Sequence, residues 1–137
     1  MRQENIDLPL TGSCLCGGIS FKLHGSLRPV SNCHCTQCQK THGNFAAYTK
    51  SNINDLKFDK KDTLNWYSSS SEAKRGFCST CGSSVFWDDT SDPNNICISA
   101  GVLDRPTGLK TTQNIFCEDK SDYYNLDPNL EAFPRDP

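Results

Sequence analysis

Long apolar runs are missing from this sequence. Only 35% of its 137 residues are hydrophobic, and no segment approaches the roughly 20 consecutive apolar residues of a membrane-spanning helix, so no membrane partner is expected. The opening stretch MRQENIDLPL has two acids and a proline where a secretory leader needs an apolar core, which makes the reducing cytoplasm the expected compartment. A basic excess is missing as well. With 14 Lys and Arg against 16 Asp and Glu, the formal charge is -2, and no cationic stripe stands out, which argues against a nucleic-acid partner. Internal repeats, linkers and long low-complexity tracts are also absent. The length then suits one domain, 1–137, able to bury about two-thirds of the surface its unfolded chain exposes. So modest an apolar fraction makes a thin core, which would gain from another source of stability.

Cysteine is what the chain has in quantity. There are nine, Cys14, Cys16, Cys33, Cys35, Cys38, Cys78, Cys81, Cys97 and Cys117, grouped as C-x-C, C-x-C-x-x-C and C-x-x-C with two singles. An odd number so arranged is unlike a disulfide framework. In a reducing compartment such groups bind metal or do redox work more often than they pair.

The rest of the chain reads as mainly β. GISFKLH (18 to 24) alternates Ile19, Phe21 and Leu23 with Ser20, Lys22 and His24, the period of a half-buried strand. FAAYTK, LKF, TLNWY, SVFW, ICISA and NIFCE are rich in β-branched and aromatic residues, and turn-forming mixtures separate them. The serines at 68–71 predict an exposed loop. Only 36–42 and the stretch around DPNLEAF suit a helical turn or two.

Spacing carries the chemistry. Positions i and i+2 of a strand share a face, so Cys14 and Cys16 can reach one ion without a turn, while Gly17 and Gly18 let the backbone pass closely. Cys78 and Cys81 are spaced as in a zinc knuckle, with Gly82 free to adopt the positive φ that ends it. Together the two pairs supply four thiolates, the closed tetrahedral set of structural zinc. Cys33, Cys35 and Cys38 supply three. That leaves the fourth position of a catalytic zinc for water or substrate, or else the set is closed by Cys97, Cys117, His34 or His42. Spacing alone equally permits Cys33 and Cys35 to pair with Cys78 and Cys81.

GSCLCGGISF (12 to 21), CHCTQCQKTHG (33 to 43), RGFCSTCGSSVFW (75 to 87), AGVLDRP (100 to 106) and IFCEDK (115 to 120) together resemble the glutathione-dependent formaldehyde-activating enzymes, whose wider group includes centromere protein V. The resemblance covers nearly the whole chain, and its specificity lies in the three cysteine groups. It implies a zinc-stabilised β-tent fold with two zinc ions per chain. One is structural, on Cys14, Cys16, Cys78 and Cys81; the other is catalytic, on Cys33, Cys35 and Cys38, which favours the open triad. The implied activity is that of a carbon-sulfur lyase in formaldehyde detoxification, reversibly adding the glutathione thiol to formaldehyde or a related small aldehyde to give S-(hydroxymethyl)glutathione. Zinc suits the step as a Lewis acid that lowers a thiol's pKa or polarises an aldehyde. A zinc-stabilised binding module without catalysis is the alternative that the centromere relative suggests. The chain departs from the pattern at Asn114 and Tyr123, where many members carry His and Trp.

Glutathione has two carboxylates and calls for cations; Lys40 and Arg75, each near a cysteine group, are the candidates. His34 lies between two ligands and is expected to point away from the metal. His42 reads as a loop histidine, with a proton shuttle as its alternative, and His24 as part of a polar strand face. Cys97 and Cys117 read as small core residues, and Trp66, Trp87 and the seven phenylalanines as core.

Overall fold

A computed structural model describes residues 6–137; residues 1–5, which open the stretch read against a leader, lie outside it. In chain order the elements are β1 (Leu10–Ser13), β2 (Ile19–Leu23), β3 (Val30–Cys33), α1 (Thr36–His42), β4 (Ala46–Asn52), β5 (Leu56–Lys61), β6 (Leu64–Ser68), β7 (Ala73–Cys78), β8 (Ser84–Asp89), β9 (Asn95–Ser99), β10 (Thr111–Ile115) and β11 (Glu131–Ala132). The protein is mainly β, as expected. Among the described residues no helix is long and apolar enough to cross a membrane.

The strands form two sheets. A three-stranded antiparallel sheet runs β1-β2-β5, and an eight-stranded sheet runs β11-β10-β3-β4-β9-β8-β7-β6. The main core lies between them. Ile19, Phe21 and Leu23 alternate inward along β2 as their spacing predicted, and from the large sheet Val85, Phe86, Ile96 and Ile98 meet them. Phe21 and Phe86 pack with ring centres 5.4 Å apart. At the sheet's centre, β9 is covered on both sides, which is why ICIS reads as a continuous apolar run. Ile96 and Ile98 face the small sheet. Cys97 faces the other way, into a second cluster with Cys33, Cys38, Ala46 and Tyr48. That second face of the large sheet carries the triad.

Several expectations change. Cys14 and Cys16 follow the end of β1 and occupy a turn, not a strand face; Gly17, at φ 81°, closes it, and its N–H donates to the Cys14 carbonyl at 3.2 Å. DPNLEAF forms no helix but a turn leading into the two-residue β11, which pairs in parallel with β10. NIFCE ends as a strand at Ile115, because Phe116 sits in the left-handed region at φ 54° and starts the 3-10 turn Cys117–Asp119. Trp66 is 37% exposed on the edge strand β6, stacked over Phe86 with Lys74 above it. Of the phenylalanines only Phe21 and Phe86 are fully buried; the others, like Trp87, are half-buried.

Candidate metal centres

Two turns build the first centre. One follows β1 and carries Cys14 and Cys16; the other leaves β7 at its last residue, Cys78, and carries Cys81, with Gly82 at φ 80° as its spacing predicted. The four sulfurs all lie within 4.8 Å of one another. Cys16 Sγ is 3.7 Å from Cys14 Sγ and 3.6 Å from Cys78 Sγ, which matches the roughly 3.8 Å edge of a tetrahedron with zinc-sulfur distances near 2.3 Å. Backbone N–H groups of Ile19 and Cys81 donate to Cys14 Sγ and Cys78 Sγ, each at 3.3 Å. The Cys81 thiol is drawn down to about 5, chiefly by its hydrogen bond with the Ser83 hydroxyl. The N–H···S bonds and the sulfur spacing fit a closed zinc site, and they select the pairing that spacing alone left open.

The second centre is built where β3 meets α1. Cys33 ends β3, Cys35 caps the N-terminus of α1, and Cys38 lies in its first turn. The Cys38 N–H donates to Cys35 Sγ at 3.3 Å, and at the far end of the helix Gly43, at φ 82°, caps with its N–H on the Gln39 carbonyl. The three sulfurs lie within 4.8 Å of one another, and among the described residues no fourth His, Cys, Asp or Glu joins them. Hydrogen bonding from Cys33 and then Cys38 draws the Cys35 thiol down to about 2. Cys33 is pushed up by its bonds to Cys35 and Cys38 and by burial. Three sulfurs gathered this closely are a donor set suited to a thiophilic cation.

None of the alternative fourth ligands joins the triad. Buried His34 points away from the sulfurs, with Nδ1 2.6 Å from Tyr124 Oη and Nε2 2.8 Å from Asn114 Oδ1. His42 Nε2 is 3.0 Å from Tyr48 Oη, and burial followed by the Arg75 charge lowers its pKa to about 4. Cys97 is buried, as expected, while Cys117 is only half-buried in its 3-10 turn; neither belongs to the sulfur group. His24 is exposed just beyond β2.

A cavity of about 280 Å³ opens beside the triad and is lined by all three cysteines. Trp87, Ile115 and Phe116 form its apolar part; Arg28, Lys50 and Arg75 bring positive charge and Asp89 and Asp136 negative, with Lys50 also paired to Asp92 at 3.1 Å. Lys40 is exposed on α1 and does not line it. Arg75 does, but its guanidinium is turned into the protein, toward Cys38. Sequence reading missed Arg28, Tyr48 and Lys50. A signal existed in FAAYTK, because positions 46, 48 and 50 of one strand share a face, and Ala46 packs beside Cys33 in that cluster.

At 26% identity over 129 residues, the chain is similar to an uncharacterized lyase of Schizosaccharomyces pombe, covering 91% of this chain and 90% of the relative. A solved crystal structure of a Rhodobacter sphaeroides protein superimposes with a TM-score of 0.58 at 25% identity, over 69% of this chain and 88% of that one. The family described as glutathione-dependent formaldehyde-activating enzyme matches residues 9–119. A match of that length takes in all three cysteine groups whose sulfurs the fold gathers, and the chain belongs to the glutathione-dependent formaldehyde-activating enzyme family.

Proposed function

We propose that the protein is a zinc-dependent carbon-sulfur lyase of the cytoplasm, acting as one domain over 1–137, that reversibly adds the glutathione thiol to formaldehyde or a related small aldehyde. The observation that carries this reading is a three-sulfur centre, without a fourth protein ligand among the described residues, that lines a cavity of about 280 Å³. A closed four-ligand triad would favour a binding module. Cys33, Cys35 and Cys38 would hold the catalytic zinc, and Cys14, Cys16, Cys78 and Cys81 the structural one. Bound there, zinc supplies Lewis acidity that favours the thiolate or polarises the carbonyl.

The chain's own residues do the rest. Arg28 and Lys50, on the cavity lining, attract the carboxylates of the thiol substrate in place of exposed Lys40. Arg28 is itself oriented by bonds from Nε to the Pro29 carbonyl at 3.3 Å and from Nη2 to the Tyr48 carbonyl at 3.0 Å. Trp87, Ile115 and Phe116 exclude water from one side, so the reacting pair is held together in a drier site. In the reaction a carbon-sulfur bond forms, the thiol gives up its proton and the carbonyl oxygen gains one; the reverse breaks the same bond.

Glutathione and formaldehyde combine slowly unaided, and a catalyst leaves the equilibrium unchanged, so the test is a rate. Exchange NMR at fixed pH between free formaldehyde and S-(hydroxymethyl)glutathione should show acceleration by zinc-replete protein and none by Cys35→Ser. Background exchange with the wild type, together with turnover of another thiol or aldehyde, would overturn the named substrate. Background exchange with no turnover of any such pair would leave the binding module as the reading.

A further inference from the structure

Arg75 is 7% exposed and lies on β7, one strand in from the edge of the large sheet. Its Nη1 donates to Tyr48 Oη at 3.2 Å and Thr41 Oγ1 at 3.3 Å; its Nη2 donates to Gln37 Oε1 at 3.4 Å and Cys38 Sγ at 3.6 Å. Its Nε is buried without a partner among the described residues. No carboxylate among them lies within ion-pair distance of it. A buried guanidinium surrounded by neutral oxygens is costly, because desolvation penalises a charge that nothing opposite balances. Burial keeps the Tyr48 hydroxyl protonated, so the group touching Arg75 that can carry negative charge near neutral pH is the Cys38 sulfur. Three thiolates around a divalent zinc sum to a formal charge of minus one, which a single guanidinium cancels.

We propose that Arg75 is the positioning residue of the triad, a built-in counter-charge whose guanidinium, aimed by Gln37, Thr41 and Tyr48, donates to Cys38 Sγ and is balanced only when the triad holds its metal. The contact has two consequences. A hydrogen bond to a ligand sulfur withdraws electron density from it, leaving the metal a stronger Lewis acid and Cys38 a held ligand. By reciprocity, metal loading and the ordering of Arg75 stabilise one another equally. Arg75 therefore serves the metal, and the carboxylates of a substrate are left to Arg28 and Lys50.

This inference rests on the triad holding zinc, as in the reading above, but on no particular substrate, so the test is metal binding. Zinc affinity is measured by competition with a chromophoric chelator on wild type, Arg75→Met and Arg75→Lys, resolving the first and second equivalents. Arg75→Met should weaken the second equivalent roughly 10–100-fold and leave the first unchanged, with Arg75→Lys recovering part of the loss because it keeps the charge but not the fork. Equal affinities in Arg75→Met and wild type, or no recovery in Arg75→Lys, would overturn the proposal. A measurement on the wild type guards against a variant that fails to fold. The Arg75 guanidinium protons, followed by nitrogen-15 NMR, should exchange with solvent more slowly after the second zinc equivalent than after the first; an unchanged rate also overturns the proposal. A wild type that takes no second zinc would overturn both this and the triad's role above, whereas substrate failure with two bound zincs would touch only the proposed function.

Discussion

Within the triad's surroundings, individual residues divide into the cysteines that gather their sulfurs and those that hold the cysteines in place. His34 spends both ring nitrogens on Asn114 and Tyr124, which fixes the turn between Cys33 and Cys35 so that the cysteines point the other way. His42 has a different consequence. Burial and Arg75 depress its pKa from 6.5 to about 4, so the unfolded chain takes up a proton at His42 before the folded one does. The stability this gives is fully present above about pH 6.5 and is lost as pH falls toward 4. Because the ring is still partly exposed, screening reduces the effect to roughly 1–2 kcal/mol. Urea unfolding of zinc-replete protein at several pH values should show wild type losing that much more between pH 6.5 and 4 than His42→Gln; parallel curves would contradict the assignment. At Cys97 and Cys117 the expectation is a null effect on metal. Cys97→Ala and Cys117→Ala should each retain two zinc ions per chain by elemental analysis, and loss of one equivalent in either would show a closed triad.

For the elements, the two knuckle turns show how little sequence such a site requires. Gly82 sits at φ 80° with open space where a side chain would stand, so Gly82→Ala introduces backbone strain and no clash. The cost should be about 1–2 kcal/mol, read as a lower Tm with zinc content unchanged; loss of zinc would mean that the turn itself cannot form without glycine. That glycine, the C-x-x-C spacing and the alternation in β2 were legible because each is a local rule. β3 and β7 were not. VSNC is half polar, and it becomes a strand because β10 and β4 pair with it on both sides. AKRGFC carries two charges and a glycine, yet it lies between β6 and β8 with Gly76 against Trp66. Tertiary pairing overrides propensity in both. The same holds in reverse for DPNLEAF, whose local composition suits a helical turn but whose backbone is drawn to the edge of β10. Arg75 was noticed for its charge alone, since nothing local reveals that its guanidinium is buried against a cysteine from another element.

Across the whole molecule, an ion on the four-sulfur centre would fasten the small sheet to the large one, since Cys14 and Cys16 follow β1 while Cys78 ends β7 and Cys81 lies in the turn after it. Cys16 and Cys78 are 62 residues apart, so an ion held there would close a long loop as well as join two layers. The magnitudes decide what its removal does. Structural zinc contributes roughly 10–16 kcal/mol of apparent binding free energy, against about 5–15 kcal/mol for the net stability of a typical domain, and this core is thin. Losing that ion should therefore exceed what the apolar contacts between the sheets can hold. The triad lies on the outer face of the large sheet, within one continuous stretch from β3 to α1, so its ion joins no separate layers. Cys78→Ser should accordingly give insoluble or molten protein, with near-UV circular dichroism lost and dye-binding apolar surface exposed. Cys35→Ser should stay folded, with its near-UV spectrum retained and about one zinc fewer by native mass spectrometry. Equal loss of fold in the two variants would mean that both centres carry the architecture, and the division into a structural and a reactive zinc would be wrong.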